Sequence, residues 1–143
     1  MPWSVYESYG STEVLSQQLG SMRSWVDHLR RRAGDETVLP TEFQFGDWLD
    51  PDAPGDRPWE AKVSADFVAN AFYARSAQIL AAAERLVGDA SAAEEAAALA
   101  ERVGEETWRR WGGQARTSVA GLALAIEFDV AHVGRARGPC AAI

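Results

Sequence analysis

Apolar residues step by three and four through Val14, Leu15, Leu19, Met22, Trp25, Val26 and Leu29, the spacing that gathers one face of an α-helix. Ser11 stands where an N-cap is expected, and the run Arg30-Arg31-Arg32 falls where the negative end of the helix dipole favours cations. Gly34 suits a left-handed C-cap. A shorter helix is predicted over residues 2–9, with Pro2 in the first turn, where a missing N–H costs nothing, and Gly10 as its stop. A third helix is expected to begin near Trp59 or Ser64 and run to about Val87. Its apolar residues, Val63, Phe67, Val68, Ala71, Phe72, Ala74, Ile79, Leu80 and Leu86, fall on most sides, so it needs neighbours on several sides. That is the signature of an inner helix.

Gly88 ends that element, and Ser91-Ala92-Ala93-Glu94 has the capping-box spacing for the next. The fourth helix is alanine-rich, with Glu94, Glu95, Glu101, Glu105 and Glu106 on wetter positions, as suits an outer layer. It is predicted to end at Trp111, where Gly112-Gly113 breaks the chain. A last helix from about Arg116 to Val130 carries Val119, Leu122, Ala123, Ile126 and Val130 on one face. Period-2 alternation is absent, so the fold class is all-α, built of antiparallel hairpins. Such hairpins bring the connection after Gly34 and the turn before the last helix to the same end.

That connection, about 25 residues from Gly34 to Trp59, is far longer than helical neighbours need. It is punctuated by prolines and carries Phe43, Phe45 and Trp48 within six positions, more ring than a solvated linker has use for. Gly46 allows a turn or a close approach, and Asp47 sets a charged acceptor beside the flat face of Trp48. The pair suits a sugar, whose C–H face stacks on a ring while its hydroxyls donate to the carboxylate. Pinning the loop is the plainer role for Trp48, and packing is the plainer role for Phe45 and Trp59. The carboxylates Glu42, Asp50, Asp52 and Asp56 of the same loop read most simply as solvated charge.

The run Phe45-Gly46-Asp47-Trp48-Leu49-Asp50-Pro51 resembles a segment of the bacterial α-L-rhamnosidases, inverting glycoside hydrolases on an (α/α)6 barrel of the six-hairpin type. Four further stretches resemble the family in the same order. Pro2-Trp3-Ser4-Val5-Tyr6-Glu7-Ser8-Tyr9-Gly10 looks like its PW entry to a helix, and Ser21-Met22-Arg23-Ser24-Trp25-Val26-Asp27-His28-Leu29 like the helix that follows. Asp66 to Tyr73 and Thr117 to Ala125 complete the set. The resemblance spans residues 1–131 and implies a partial barrel domain, with 132–143 an irregular tail. It also implies a rhamnoside as substrate, with Asp47, Trp48 and Phe45 lining the sugar pocket. Inverting hydrolysis needs an acid and a base roughly 6.5–9.5 Å apart. In the family these lie upstream of the PW entry and well downstream of the last helix, so no catalytic carboxylate is expected here. The reading is therefore of a rhamnosidase fragment, inactive alone, with exposed apolar helix faces that favour self-association. Arg116 stands where the family often has glutamine. The alternative is a self-sufficient helical scaffold module that grips a protein partner with the aromatic loop.

Composition narrows the classes further. With 143 residues, 47% hydrophobic content and a net charge of -7, the chain is one domain or part of one. An acidic balance opposes nucleic acid and anionic membrane surfaces alike. One cysteine, Cys140, excludes an internal disulfide, and its place in Cys140-Ala141-Ala142-Ile143 has the outline of a prenylation box without a polybasic neighbour. Two histidines, His28 and His132, are too few and too far apart to suggest a metal. No cofactor motif is present. There is no signal-like start and no run of 18 apolar residues, so a cytoplasmic location is expected.

Overall fold

In a computed structural model, which describes residues 2–48 and 50–131, the chain forms five α-helices. They are α1 (Pro2–Tyr9), α2 (Thr12–Ala33), α3 (Ala65–Val87), α4 (Ala90–Ala115) and α5 (Val119–Glu127). No strand occurs among the described residues. The tail from His132, with Cys140, lies outside them.

The central element is α3, buried at Phe67, Ala71, Tyr73, Ala74, Ala77 and Ala81 and packed against α2, α4 and α5. Its late residues Ala77, Leu80 and Ala83 meet the early α2 residues Leu15 and Leu19, so α2 and α3 run antiparallel. Its early residues Phe67 and Val68 meet Ala115 at the end of α4, so that pair is antiparallel too. The small side chains Ala96 and Ala100 let α4 sit close to this core. α5 starts beside Ala115 and ends where Gln78 Nε2 donates to Phe128 O at 2.7 Å, which sets it parallel to α3. The expected inner helix, with α4 as its outer partner, is therefore present.

An ion pair with a buried carboxylate and an exposed guanidinium ties three elements together. Glu84, 2% exposed at the end of α3, accepts from Arg23 Nε and Nη2 of α2 at 2.6 and 2.8 Å, and from the Asp89 backbone N–H at 3.1 Å. The Arg23 guanidinium holds this carboxyl below the usual glutamate range. A Cβ at Gly88 would come within 1.9 Å of Glu84 Oε2, so the α3–α4 turn needs glycine to leave the pair intact.

α3 begins at Ala65 with Ser64 as its N-cap, the later of the two expected starts, because residues 50–60 are taken up by successive turns that close Ala53 on Asp50, Arg57 on Pro54 and Glu60 on Arg57. Three other boundaries differ from expectation. The cap of α4 is Asp89, whose side chain accepts from Ala92 N at 3.0 Å, two residues before the serine of the capping-box pattern. α4 runs through Gly112-Gly113 to Ala115. The Trp108 ring lies over Gly112, where a Cβ would meet it at 2.7 Å, so that glycine serves packing and breaks nothing. The turn falls instead at residues 116–118, and Ser118 caps α5 through Gly121 N at 3.0 Å. α5 is also shorter than predicted, ending where Asp129 takes a positive φ.

Apolar side chains remain exposed on α3 and α5. Phe72 and Leu86 of α3 are 51% and 45% exposed, and Val119 and Ile126 of α5 are 85% and 75% exposed. No helix of the described chain is long and apolar enough to cross a membrane.

Candidate functional site

The segment between α2 and α3 is anchored at both ends. After the positive-φ cap at Gly34, Val38 and Leu39 turn inward and are buried. Leu39 N donates to Asn70 Oδ1 at 2.8 Å, and Asn70 Nδ2 donates to Asp66 O at 3.0 Å, so one buried amide fastens the loop to α3. Thr41 Oγ1 donates to Asp66 Oδ2 at 3.2 Å, and Arg32 pairs with Glu42. Farther on, Gly46 has φ +58° and lies against Ala65, where a Cβ would meet Ala65 Cβ at 2.9 Å. Both the backbone conformation and the close approach require glycine there.

The loop carries a series of four rings. Centroids of Phe43 and Phe45 are 5.2 Å apart, those of Phe45 and Trp48 5.4 Å, and those of Trp48 and Trp59 6.0 Å, with interplanar angles of 75°, 60° and 40°. These are the tilted and edge-on arrangements that aromatic quadrupoles favour. Phe43, Phe45 and Trp59 are exposed, whereas Trp48 is half-buried between its neighbours. Phe45 and Trp59 pack against Trp48 within the loop and enter none of the core clusters. Trp108 and Trp111 serve the core, packing half-buried against the cluster of Val63, Phe67 and Ala125.

The carboxylates from 42 to 60 divide sharply. Glu42 is paired with Arg32, Asp52 with Lys62 Nζ, Asp56 with Arg57 at 3.9 Å, and Glu60 with Arg57 at 2.8 Å. Asp50 is spent on the loop itself, accepting from Asp52 N at 3.0 Å and Lys62 N at 2.8 Å. Only the half-buried Asp47 has no side-chain partner among the described residues. Its backbone O accepts from Asp50 N at 3.3 Å, which holds it at the head of the turn. The structure therefore brings Asp47, Trp48 and Phe45 into one loop, with a free acceptor beside a ring series.

The perturbed carboxylates lie elsewhere. The Glu106 carboxyl is lowered to about 2 by hydrogen bonds from Arg109 and then Arg110, and Arg110 also reaches Glu36 at 2.6 Å, bracing the start of the loop. Arg116 is stacked over the Trp108 ring at 4.7 Å. His28 stacks on Trp25 at 5.9 Å, and no group of metal-ligating side chains converges among the described residues. Sequence reasoning missed Asn70, although an asparagine amid the apolar residues of α3 is itself a signal that a buried polar group has a partner.

A family model described as the bacterial α-L-rhamnosidase six-hairpin glycosidase domain matches residues 1–138. The chain belongs to this family. An α-L-rhamnosidase of Streptomyces avermitilis is 30% identical over 81 residues, which is 57% of this chain and 7% of that protein. One from an Alteromonas species is 30% identical over 78 residues, 53% of this chain and 8% of that protein. The crystal structure of the Aspergillus terreus α-L-rhamnosidase superposes with a TM-score of 0.79 at 31% identity, over 90% of this chain and 15% of that one. The Streptomyces avermitilis α-L-rhamnosidase complexed with L-rhamnose has the same fold at 22% identity, with a TM-score of 0.69 over 90% of this chain and 12% of that one. The chain thus spans under a tenth of the length of these curated relatives, and its all-α fold is that of the matching stretch of the solved rhamnosidases.

Proposed function

We propose that this chain forms an arc of an α-L-rhamnosidase barrel and that its 43–59 loop is part of the wall that holds a terminal α-L-rhamnosyl residue. The observation that carries the reading is Asp47. It is the one carboxylate from 42 to 60 without a side-chain partner among the described residues, and it adjoins the half-buried indole of Trp48. A pyranose has the matching chemistry: hydroxyls to donate to the carboxylate, and a C–H face to lie on a ring. Asp47 and Trp48 position the sugar, with Phe45 closing the apolar side. Proton transfer belongs to carboxylates supplied by other parts of the enzyme, where water attacks the anomeric carbon and inverts it. On this reading the chain by itself binds the sugar and releases no phenol from an aryl α-L-rhamnoside. The exposed faces of α3 and α5 are then those that adjoining hairpins cover, and in isolation they drive association. The family match over 1–138 gives the scaffold-module alternative no support.

Titrating L-rhamnose while following tryptophan emission tests the proposal. A saturable change in the wild-type chain that is lost in Asp47→Asn and in Trp48→Ala is expected. The same response in all three proteins, or none in the wild type, overturns it.

A further inference from the structure

The Asp47–Trp48 pair sits between two points at which the loop is clipped to one short run of chain. Before the pair, Gly46 lies against Ala65, the first residue of α3, so closely that a Cβ would meet Ala65 Cβ at 2.9 Å. After the pair, Asp50 Oδ2 accepts from the Lys62 backbone N–H at 2.8 Å, across a span of twelve residues. Lys62 adjoins Val63, which is buried in the cluster of Phe67, Ala115 and Ala125, so both clips rest on chain that the core holds. Asp50 also organises the turns around itself. Its N–H donates to Asp47 O at 3.3 Å, its Oδ1 accepts from Asp52 N at 3.0 Å, and its backbone O accepts from Ala53 N at 3.0 Å. Each carboxylate oxygen is thus taken by a backbone amide. Glu42, Asp52, Asp56 and Glu60 instead meet the flexible ends of Arg32, Lys62 and Arg57, contacts that fix no backbone position.

We infer that Asp50 is a positioning residue for the sugar site: by locking the turn after Asp47 onto the Lys62 N–H, it fixes how the Asp47 carboxylate and the Trp48 ring are presented, without touching the sugar itself. The inference rests on the function proposed above and goes beyond it by assigning a residue that acts through another. Hydrogen bonds to an ionised carboxylate are stronger than neutral ones, and here both donors are main-chain groups, so the bonds set the path of the backbone. None of residues 50–60 enters a core cluster, so releasing these bonds loosens the loop and leaves the helices packed. A loosened loop holds the binding geometry for a smaller fraction of the time, and the apparent affinity falls by that fraction.

Calorimetric titration of the whole chain with L-rhamnose, together with circular dichroism of the sugar-free protein, tests the role. The indoles of Trp48 and Trp59, 6.0 Å apart, lie on either side of the turns that Asp50 organises, so their exciton band reports the shape of the loop before any sugar is added. In Asp50→Ala the affinity for L-rhamnose is expected to fall about five- to twentyfold, with a weakened exciton band in the free protein. Its Tm should fall by less than about 4 °C. Asp50→Asn keeps one acceptor and should lie between the wild type and Asp50→Ala. Lys62→Ala removes the ammonium paired with Asp52 but keeps the backbone N–H, and should bind as the wild type does. Unchanged affinity in Asp50→Ala overturns the positioning role alone. A loss of affinity with the sugar-free band intact also overturns it, because that is the mark of direct contact with the sugar. An equal loss in Lys62→Ala assigns the effect to the side-chain ion pair, and a fall in Tm beyond about 10 °C makes Asp50 a support of the whole fold; either result contradicts the inference. No binding by the wild type overturns the proposed function, and the role of Asp50 with it.

Discussion

Replacing Asn70 by alanine removes the group that fastens the functional loop to the central helix. Asn70 is 1% exposed, and its Oδ1 is the acceptor for the buried Leu39 N–H at 2.8 Å. Without it the amide is stranded between the 0%-exposed Val38 and the buried face of α3, where water cannot readily replace the lost partner. An unsatisfied buried donor costs about 1–3 kcal/mol. The void left by the truncated side chain adds to that, giving a total of roughly 2–3 kcal/mol. For a chain of this length that corresponds to a fall in Tm of roughly 5–12 °C. Thermal melting gives the global cost, and amide hydrogen exchange resolves its place: protection at Leu39 should collapse while that at Ala77, in the middle of α3, falls only with the global change. L-Rhamnose affinity should also drop, although Asn70 touches no sugar, because the loop loses its register on α3. A variant that melts within about 1 °C of the wild type and keeps Leu39 protected would refute the claim that this amide anchors the loop.

Other expectations follow from the same geometry. Gly46→Ala combines a φ of +58° with a Cβ 2.9 Å from Ala65 Cβ, and should weaken L-rhamnose binding in titration more than its melting temperature suggests, because the strain sits next to Asp47. Gly121→Ala would set a Cβ 2.3 Å from Ala115 O, a backbone atom that cannot swing aside, and should destabilise the chain by about 1–3 kcal/mol in urea unfolding. The Glu106 carboxyl titrates at about 2 when folded and near 4.5 when free, and Glu84 is shifted in the same direction. A depressed folded value means that the stabilisation is full above the unfolded value and is lost as pH falls from about 4.5 toward 2. Melting between roughly pH 6 and 2 should therefore show a steeper acid loss in the wild type than in Glu106→Gln.

Periodicity made the helices legible and composition misplaced some of their ends. The three-and-four spacing from Val14 to Leu29 defined α2 almost to the residue, and the near-continuous apolar surface of α3 identified it as the element with neighbours on several sides. The glycine pair at 112–113 misled because a helix interior tolerates glycine at about 1 kcal/mol each, and Trp108 gains a packing surface in return. The capping-box pattern at Ser91 was outcompeted by Asp89, which caps α4 where the backbone of Glu84 and Gly88 closes the preceding helix. Within the loop, Asp47 and Trp48 stood out from their residue types and adjacency. Nothing in the sequence showed that every other carboxylate from 42 to 60 would be engaged, since Lys62, Arg32 and Arg57 reach them through turns that only the folded chain defines. The meeting of Trp48 with Trp59, eleven residues later, depends on the same turns.

The most direct measurement is a crystal structure of the chain grown with L-rhamnose. A pyranose with one or two hydroxyls within hydrogen-bond reach of the Asp47 carboxylate and its C–H face on the Trp48 ring is the predicted result. A sugar bound away from this loop, or an Asp47 carboxylate turned to a protein partner with the ring series bare, would contradict it.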